Sequence, residues 1–83
     1  MGAQTVLSGA FPMPPEGYIS AALVASTEGF QVGVKVAVES AGVLLIEVVS
    51  SPPAAMFLKN LGGSGNAPGS TIIPAGSKVS VVE

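Results

Sequence analysis

The chain lacks four residue types on which catalytic and metal sites often depend, because its 83 residues include no cysteine, histidine, aspartate or arginine. Without cysteine, thiol catalysis, thiolate metal sites and a disulfide framework are excluded. Without histidine and aspartate, a catalytic or calcium site would have to be built from five glutamates and from hydroxyl groups. We therefore expect a non-enzymatic protein with no catalytic site, no metal site and no cofactor.

Charged residues are also scarce. Three lysines and five glutamates make up 10% of the chain, with a net charge of −2, whereas charged residues are roughly 25% of an ordinary soluble domain. The three scattered lysines form no basic stripe, so we expect no nucleic-acid partner. The most apolar windows, residues 19–25 and 43–49, are far shorter than the roughly 20 residues of a membrane-spanning helix, so we expect no membrane partner.

This low charge has two interpretations. One is that the surface is partly covered by other chains, since small residues and prolines stand where a free monomer carries charges for solubility. The other is a small, weakly charged monomer. We expect the first, and with it a homo-oligomer.

The clearest structural signal lies in residues 30–50. Residues 30–38 alternate apolar with mostly polar or small side chains, and an apolar run follows the Ser-Ala-Gly break at residues 40–42. This pattern predicts two strands joined as a hairpin. We expect Lys35 opposite Glu47 in a register that also gives one wholly apolar face. The residues predicted to point into the core are Val32, Val34, Val36, Leu44, Ile46 and Val48.

The segment before this hairpin, residues 18–25, also has the character of a strand. A turn at residues 26–29 would let it pair with residues 30–39 as a three-stranded antiparallel meander. In that register Ile19, Ala21 and Leu23 join the core face.

The remainder of the chain adds short elements. Residues 54–61 fit either a strand or a helical turn, and we expect a strand. The Gly-rich residues 62–70 predict a flexible surface loop, and residues 71–82 predict a last hairpin around Pro74-Ala75-Gly76. Phe30 and Phe57 are expected in the core. The fold class is therefore all-β, as a small antiparallel β-sandwich or a partly open barrel of about six or seven short strands.

Residues 1–17 contain three closely spaced prolines and predict an extended N-terminal arm, with the β domain spanning residues 18–83. The apolar side chains of the arm pack either on their own domain or on a neighbouring chain. The face of the sheet opposite the core is less polar than a solvent-facing surface, which indicates a contact surface. The predicted interface residues are Val6, Leu7, Phe11, Met13, Tyr18, Val43 and Leu45.

The C-terminal third carries a motif, FLKNLG at residues 57–62 followed by STIIPAGSKV at residues 70–79. It resembles the strand, loop and hairpin "L-x-N-x-G … T-I-P-A-G-[ST]-x-V" of small β domains in tailed-bacteriophage virions, with Ile73 as an additional apolar residue. Capsid decoration, or cement, proteins are also similar in size and composition. The resemblance implies a virion structural role on the capsid surface, as trimers bound to the major capsid protein or other virion proteins. It carries no catalytic residue.

Two other classes of function remain open. A carbohydrate-binding or other small β interaction module should show a row of exposed aromatic side chains, but the chain has only four aromatics. A subunit of a cell-surface polymer should carry an export signal, and we expect none at the N-terminus unless it was removed before residue 1.

Overall fold

The computed structural model describes residues 3–82 and contains eight β-strands within that range. Six strands form one antiparallel sheet in the order β1-β8-β4-β5-β6-β3, and β2 and β7 form a separate antiparallel pair. The strand bounds are β1 Gln4–Val6, β2 Phe11–Pro12, β3 Ile19–Leu23, β4 Lys35–Val38, β5 Gly42–Ser50, β6 Ala55–Asn60, β7 Ile72–Ile73 and β8 Lys78–Val81. The all-β prediction is confirmed, and residues 55–60 form the expected strand.

The six-stranded sheet curls until its two outermost strands meet. Leu7, just after β1, bridges Val24, just after β3. The Ser8 N–H donates to the Leu23 C=O at 2.9 Å, and the Ala25 N–H donates to the Val6 C=O at 2.9 Å. The sheet is therefore a partly closed barrel, which reduces the unpaired strand edge that an open sheet would expose.

An N-terminal segment, residues 4–12, pairs with a C-terminal segment, residues 72–80, along most of its length. Thr5 faces Val79 in the β1–β8 pair, and Phe11 faces Ile73 in the β2–β7 pair. Between them, Leu7 exchanges backbone hydrogen bonds with Ser77 and Gly76. The predicted hairpin within residues 71–82 is therefore wrong. The predicted turn does form, since the Ser77 N–H donates to the Pro74 C=O at 3.3 Å, but β7 and β8 each pair with the N-terminal segment instead of with each other.

This pairing places the apolar side chains of the N-terminal segment inside the molecule. Leu7, Phe11 and Met13 are at most 1% exposed and belong to the core of their own chain. Of the two alternatives for the arm, packing on its own domain therefore holds for these residues. Their assignment to an interface is wrong, because they fill the barrel that the other strands enclose. Met1 and Gly2, also assigned to the arm, lie outside the described residues.

The predicted meander is also wrong, because β3 pairs with β6, with Ile19 opposite Lys59, and not with residues 30–39. Residues 30–34 form no strand, although Phe30 is buried as expected. The faces of β3 are inverted as well, since Ala22 is buried while Ile19, Ala21 and Leu23 are exposed. The physical reason is that β2 packs on β3, so the large Phe11 and Met13 fill the space that small β3 side chains leave.

The central hairpin forms between β4 and β5, but two residues away from the predicted register. Val36 faces Leu44, and Lys35 faces Leu45 instead of Glu47. A shift of two keeps each side chain on its predicted face, so Val36, Leu44 and Ile46 are fully buried as expected. Gly42 follows the three-residue loop with a φ of +111°, a conformation that favours glycine.

Two residues of the predicted core point outward, and a third is only half-buried. Val32 lies outside the strands and is 62% exposed, while Val34 is half-buried. Val48 is 46% exposed because the β5–β6 register shifts between Ile46 and Val48. This bulge adds one residue to β5 and so reverses the direction of the side chains that follow.

The first prediction concerns the N-terminal segment. A chain that starts at Tyr18 should fail to fold, because it loses β1, β2 and three fully buried core side chains. We expect the circular dichroism and NMR spectra of an unfolded chain. A separate peptide of residues 1–17, added in excess, should restore the native spectrum. A truncated chain that folds alone would show that the segment is dispensable.

The second prediction uses two adjacent isoleucines in β7. Ile73 is 1% exposed and Ile72 is 61% exposed. Ile73→Ala should lower the free energy of unfolding by about 2 to 5 kcal/mol, a large share of the roughly 4 to 12 kcal/mol available to a chain of this length. Ile72→Ala should change it by at most about 0.5 kcal/mol. Urea denaturation measures both, and equal losses would contradict the inward direction of Ile73.

Candidate functional site

One surface feature is a contiguous group of apolar side chains on the outside of β3, β6 and β5. Ala21 faces Phe57, and Phe57 faces Val48 on the next strand, so these three lie in one row on the same face. Ile19 and Leu23 flank Ala21 at the two-residue spacing that keeps them on that face. We call these five residues the outer apolar face. Its large side chains are 40–49% exposed.

The β-bulge contributes directly to this face. Leu44 and Ile46 point into the core, so unbroken alternation would also direct Val48 inward. The extra residue, Glu47, lets Val48 face outward beside Phe57 while Val49 packs against the core. Bulges that redirect a side chain are frequent next to functional sites, and this one enlarges the exposed apolar area.

Two of the three lysines lie next to the outer apolar face. Lys35, Leu45, Lys59 and Ile19 follow one another in a single row across β4, β5, β6 and β3. Lys35 is exposed, and Lys59 is half-buried. Because lysine buries its aliphatic chain while keeping the ammonium group in water, the two lysines place positive charges beside Leu45 and Ile19 at one end of the apolar surface.

The structure does not gather the predicted interface residues into one surface. Val6, Tyr18 and Val43 are 37%, 66% and 36% exposed, and Leu45 is half-buried. Val43 and Leu45 share one side of β5, whereas Val6 is in β1 and Tyr18 precedes β3. Leu7, Phe11 and Met13 are in the core, as described above. Contact of the four accessible residues with another chain stays a prediction.

Sequence reasoning missed Ile19, Leu23, Val48 and Phe57, which form most of the outer apolar face. Phe57, predicted in the core, is 40% exposed. Alternation within a strand shows which residues share a face but not which face is buried. The bulge that exposes Val48 leaves no mark in an unbroken apolar run, so no sequence signal identified this residue.

A second feature is a pair of asparagines at one end of the barrel, which we call the asparagine clamp. Asn60, the last residue of β6, is 3% exposed. Its Nδ2 donates to the Pro14 C=O at 2.8 Å, and its Oδ1 accepts from the Gly62 N–H at 2.8 Å and from Asn66 Nδ2 at 2.9 Å. Asn60 therefore joins β6 to the segment after β2 and to the loop of residues 61–70.

The Asn66 side chain bonds to the backbone at the start of β5 as a neighbouring strand would. Its Oδ1 accepts from the Val43 N–H at 3.0 Å, and its Nδ2 donates to the Val43 C=O at 3.0 Å. The approach needs a glycine at position 42, because a Cβ there would collide with Asn66 Oδ1. The loop predicted to be flexible is thus attached to the barrel by specific bonds.

A cleft of about 280 Å³ lies beside the asparagine clamp, and Glu16 provides its carboxylate. Glu16 packs over Gly62, where a Cβ would lie 2.5 Å from Glu16 Cδ. The two amide side chains that line the cleft already bond to other groups of the chain. Within residues 3–82, no group of three or more potential ligands could hold a metal ion.

Two glutamates near the central hairpin, Glu39 and Glu47, lie in different settings. Glu39 is exposed, and its Oε1 accepts from the Lys78 N–H at 3.3 Å. Glu47 is half-buried at the bulge.

In the described part of the chain, no helix is long and apolar enough to span a membrane.

The third prediction tests the asparagine clamp. Asn60→Ala removes three hydrogen bonds and leaves the buried Pro14 C=O without its partner, so the free energy of unfolding should fall by about 2 to 4 kcal/mol. The control is Gln31→Ala, which removes an exposed amide and should cost at most about 0.5 kcal/mol. Urea denaturation compares the two, and a loss below about 1 kcal/mol for Asn60→Ala would contradict a structural role.

No protein-family model, curated protein or solved structure matches the chain. The features of the chain that bear on its function are therefore the outer apolar face, the composition and the C-terminal motif.

Proposed function

We propose that this chain is a non-enzymatic structural protein of a virion, a capsid decoration or cement protein that attaches to the capsid surface and stabilises it. Attachment uses the outer apolar face of β3, β6 and β5. The partners are the major capsid protein or other virion proteins, and the chain acts as a homo-oligomer, for which we propose a trimer.

The outer apolar face is the observation that carries this proposal. Ile19, Leu23, Val48 and Phe57 are each 40–49% exposed, and they lie on three adjacent strands. A contiguous exposed apolar surface commonly marks a protein contact. Full burial of such a side chain is worth about 1.5 to 3 kcal/mol. Because each of these side chains is already partly covered, docking would gain roughly half that amount per residue.

The size of the face supports attachment in several copies. Neighbouring strands lie about 4.8 Å apart, and each residue adds about 3.4 Å to the length of a strand. The outer apolar face, which spans three strands and five residues, therefore covers only about 250 Å². A stable pairwise interface buries about 800 Å² on each partner. One copy would therefore bind weakly, whereas an oligomer that presents several faces to a repeating lattice binds tightly by avidity.

Composition and the C-terminal motif also support a structural role. Only 10% of the residues are charged, which suits a surface that other chains cover. The motif residues Leu58, Asn60 and Val79 are buried, as is the additional Ile73, so the motif that resembles phage virion domains includes residues that build the fold. The exposed aromatics are Tyr18 and Phe57, which gives no row of rings for a carbohydrate.

The fourth prediction tests attachment. Full-length protein is mixed with undecorated capsids of the phage whose genome encodes it, and bound protein is measured by cosedimentation. Phe57→Ser should lower binding at least about tenfold, since one anchor of a small interface is lost. Val82→Ser is the matched control, because Val82 is 41% exposed and follows β8, three strands from β6 in the sheet.

Val82→Ser should bind as the unchanged protein does. Native mass spectrometry of the same samples gives the oligomeric state. Failure of the unchanged protein to bind capsids would overturn the virion role. Equal binding by all three proteins would show that attachment uses another surface. If the unchanged protein instead binds an oligosaccharide array, the chain is a carbohydrate-binding module.

A further inference from the structure

The loop between β6 and β7, residues 61–70, lies against several separate parts of the barrel. Asn66 bonds to Asn60 and Val43, the Ala67 N–H donates to the Ala41 C=O at 2.7 Å, and the Ser70 N–H donates to the Met13 C=O at 2.8 Å. We call these ten residues the strap. The strap connects the ends of β6 and β7 while covering the start of β5.

The strap contributes very little apolar packing. Seven of its residues, at positions 61, 63–65 and 68–70, are exposed, and only Ala67 packs against the core. Its attachment between positions 63 and 67 therefore depends on hydrogen bonds. Three of them involve the side chain of Asn66, and the fourth is the backbone bond from Ala67 to Ala41.

Glycines lie at both ends of this attached part. Gly62 and Gly63 have φ values of +81° and +111°, and Gly69 precedes the bond from Ser70. Because glycine accepts many backbone conformations, the chain can change direction at these positions at little cost. The bond of the Asn66 N–H to the Gly63 C=O at 3.2 Å lies within the segment and can persist as the segment moves.

We propose that residues 63–67 open as a local unit while the barrel stays folded, and that Asn66 is the latch that holds them closed. Opening separates Asn66 from Val43 and Asn60, and Ala67 from Ala41. Asn60 keeps its bonds to Pro14 and Gly62, so β6 and the segment after β2 stay joined. Ala41, which is 1% exposed when the strap is closed, is uncovered by the movement.

The low cost of opening follows from where the broken bonds lie. The bonds between Asn66 and Val43 are exposed to solvent, so water replaces them on opening. Exposed bonds and little apolar burial characterise segments that open below the free energy of global unfolding. The inference is independent of the proposed capsid attachment, because the strap contains none of the outer apolar face.

The fifth prediction tests the latch by amide hydrogen exchange on the full chain, read by NMR. In Asn66→Ala, the amides of Val43 and Ala67 should exchange at least about tenfold faster than in the unchanged protein, because the side chain's three bonds are gone. The core amides of Val36 and Leu58 should change by less than about twofold. Ser64→Ala, a substitution at an exposed strap position, should leave all four rates unchanged.

Equal acceleration at strap and core amides would overturn the proposal, since it would mean that the strap opens only with the whole fold. No acceleration at Val43 and Ala67 would overturn the role of Asn66. If Asn66→Ala fails to fold, amide exchange in the unchanged protein still tests the proposal. Its Ala67 exchange should be nearly independent of low concentrations of urea, whereas global opening gives a steep dependence.

Discussion

The antiparallel pairing of the two terminal segments is the constraint on which the rest of this structure depends. An 83-residue chain without cysteine must obtain its stability from a small core, since chains of this size bury only about 60 to 65% of their unfolded surface. Residues near the N-terminus supply three of the core's largest side chains, Leu7, Phe11 and Met13. They reach the core only because β1 and β2 pair with β8 and β7.

This pairing explains the unusual distribution of side chains on β3. With Phe11 and Met13 inside the barrel, the inner side of β3 has small residues such as Ala22, and its larger side chains Ile19 and Leu23 face outward. The outer apolar face is thus partly a consequence of how the core is filled. A bulge in β5 enlarges it by turning Val48 outward beside Phe57.

The asparagine clamp holds one end of the barrel together by hydrogen bonds instead of by apolar packing. Apolar packing holds the strands together over the core, but residues 61–70 have almost no apolar contact with it. Side-chain amides satisfy backbone groups at Pro14, Gly62 and Val43 instead. Such bonds are directional, so they position a loop accurately, yet in solvent-exposed settings they add little net stability. The proposed opening of the strap follows from that combination.

The sequence by itself determined the all-β class, the β5 and β6 strands, and the inward direction of Val36, Leu44 and Ile46. These properties are local, because period-two alternation and a short loop decide which residues of a hairpin share a face. A register error of two residues leaves the same side chains inside, so the hairpin core was predicted correctly despite the shifted pairing.

Only the tertiary structure decided which distant strands pair, which side of β3 faces water and where residues 3–17 pack. Thr5 and Val79 face each other across more than seventy residues of sequence, and no local signal distinguishes that pairing from a hairpin between β7 and β8. A single extra residue at the bulge reverses the exposure of Val48 without altering its apolar neighbours. These outcomes depend on the volumes that fill one shared core, which is a property of the whole chain and of no segment within it.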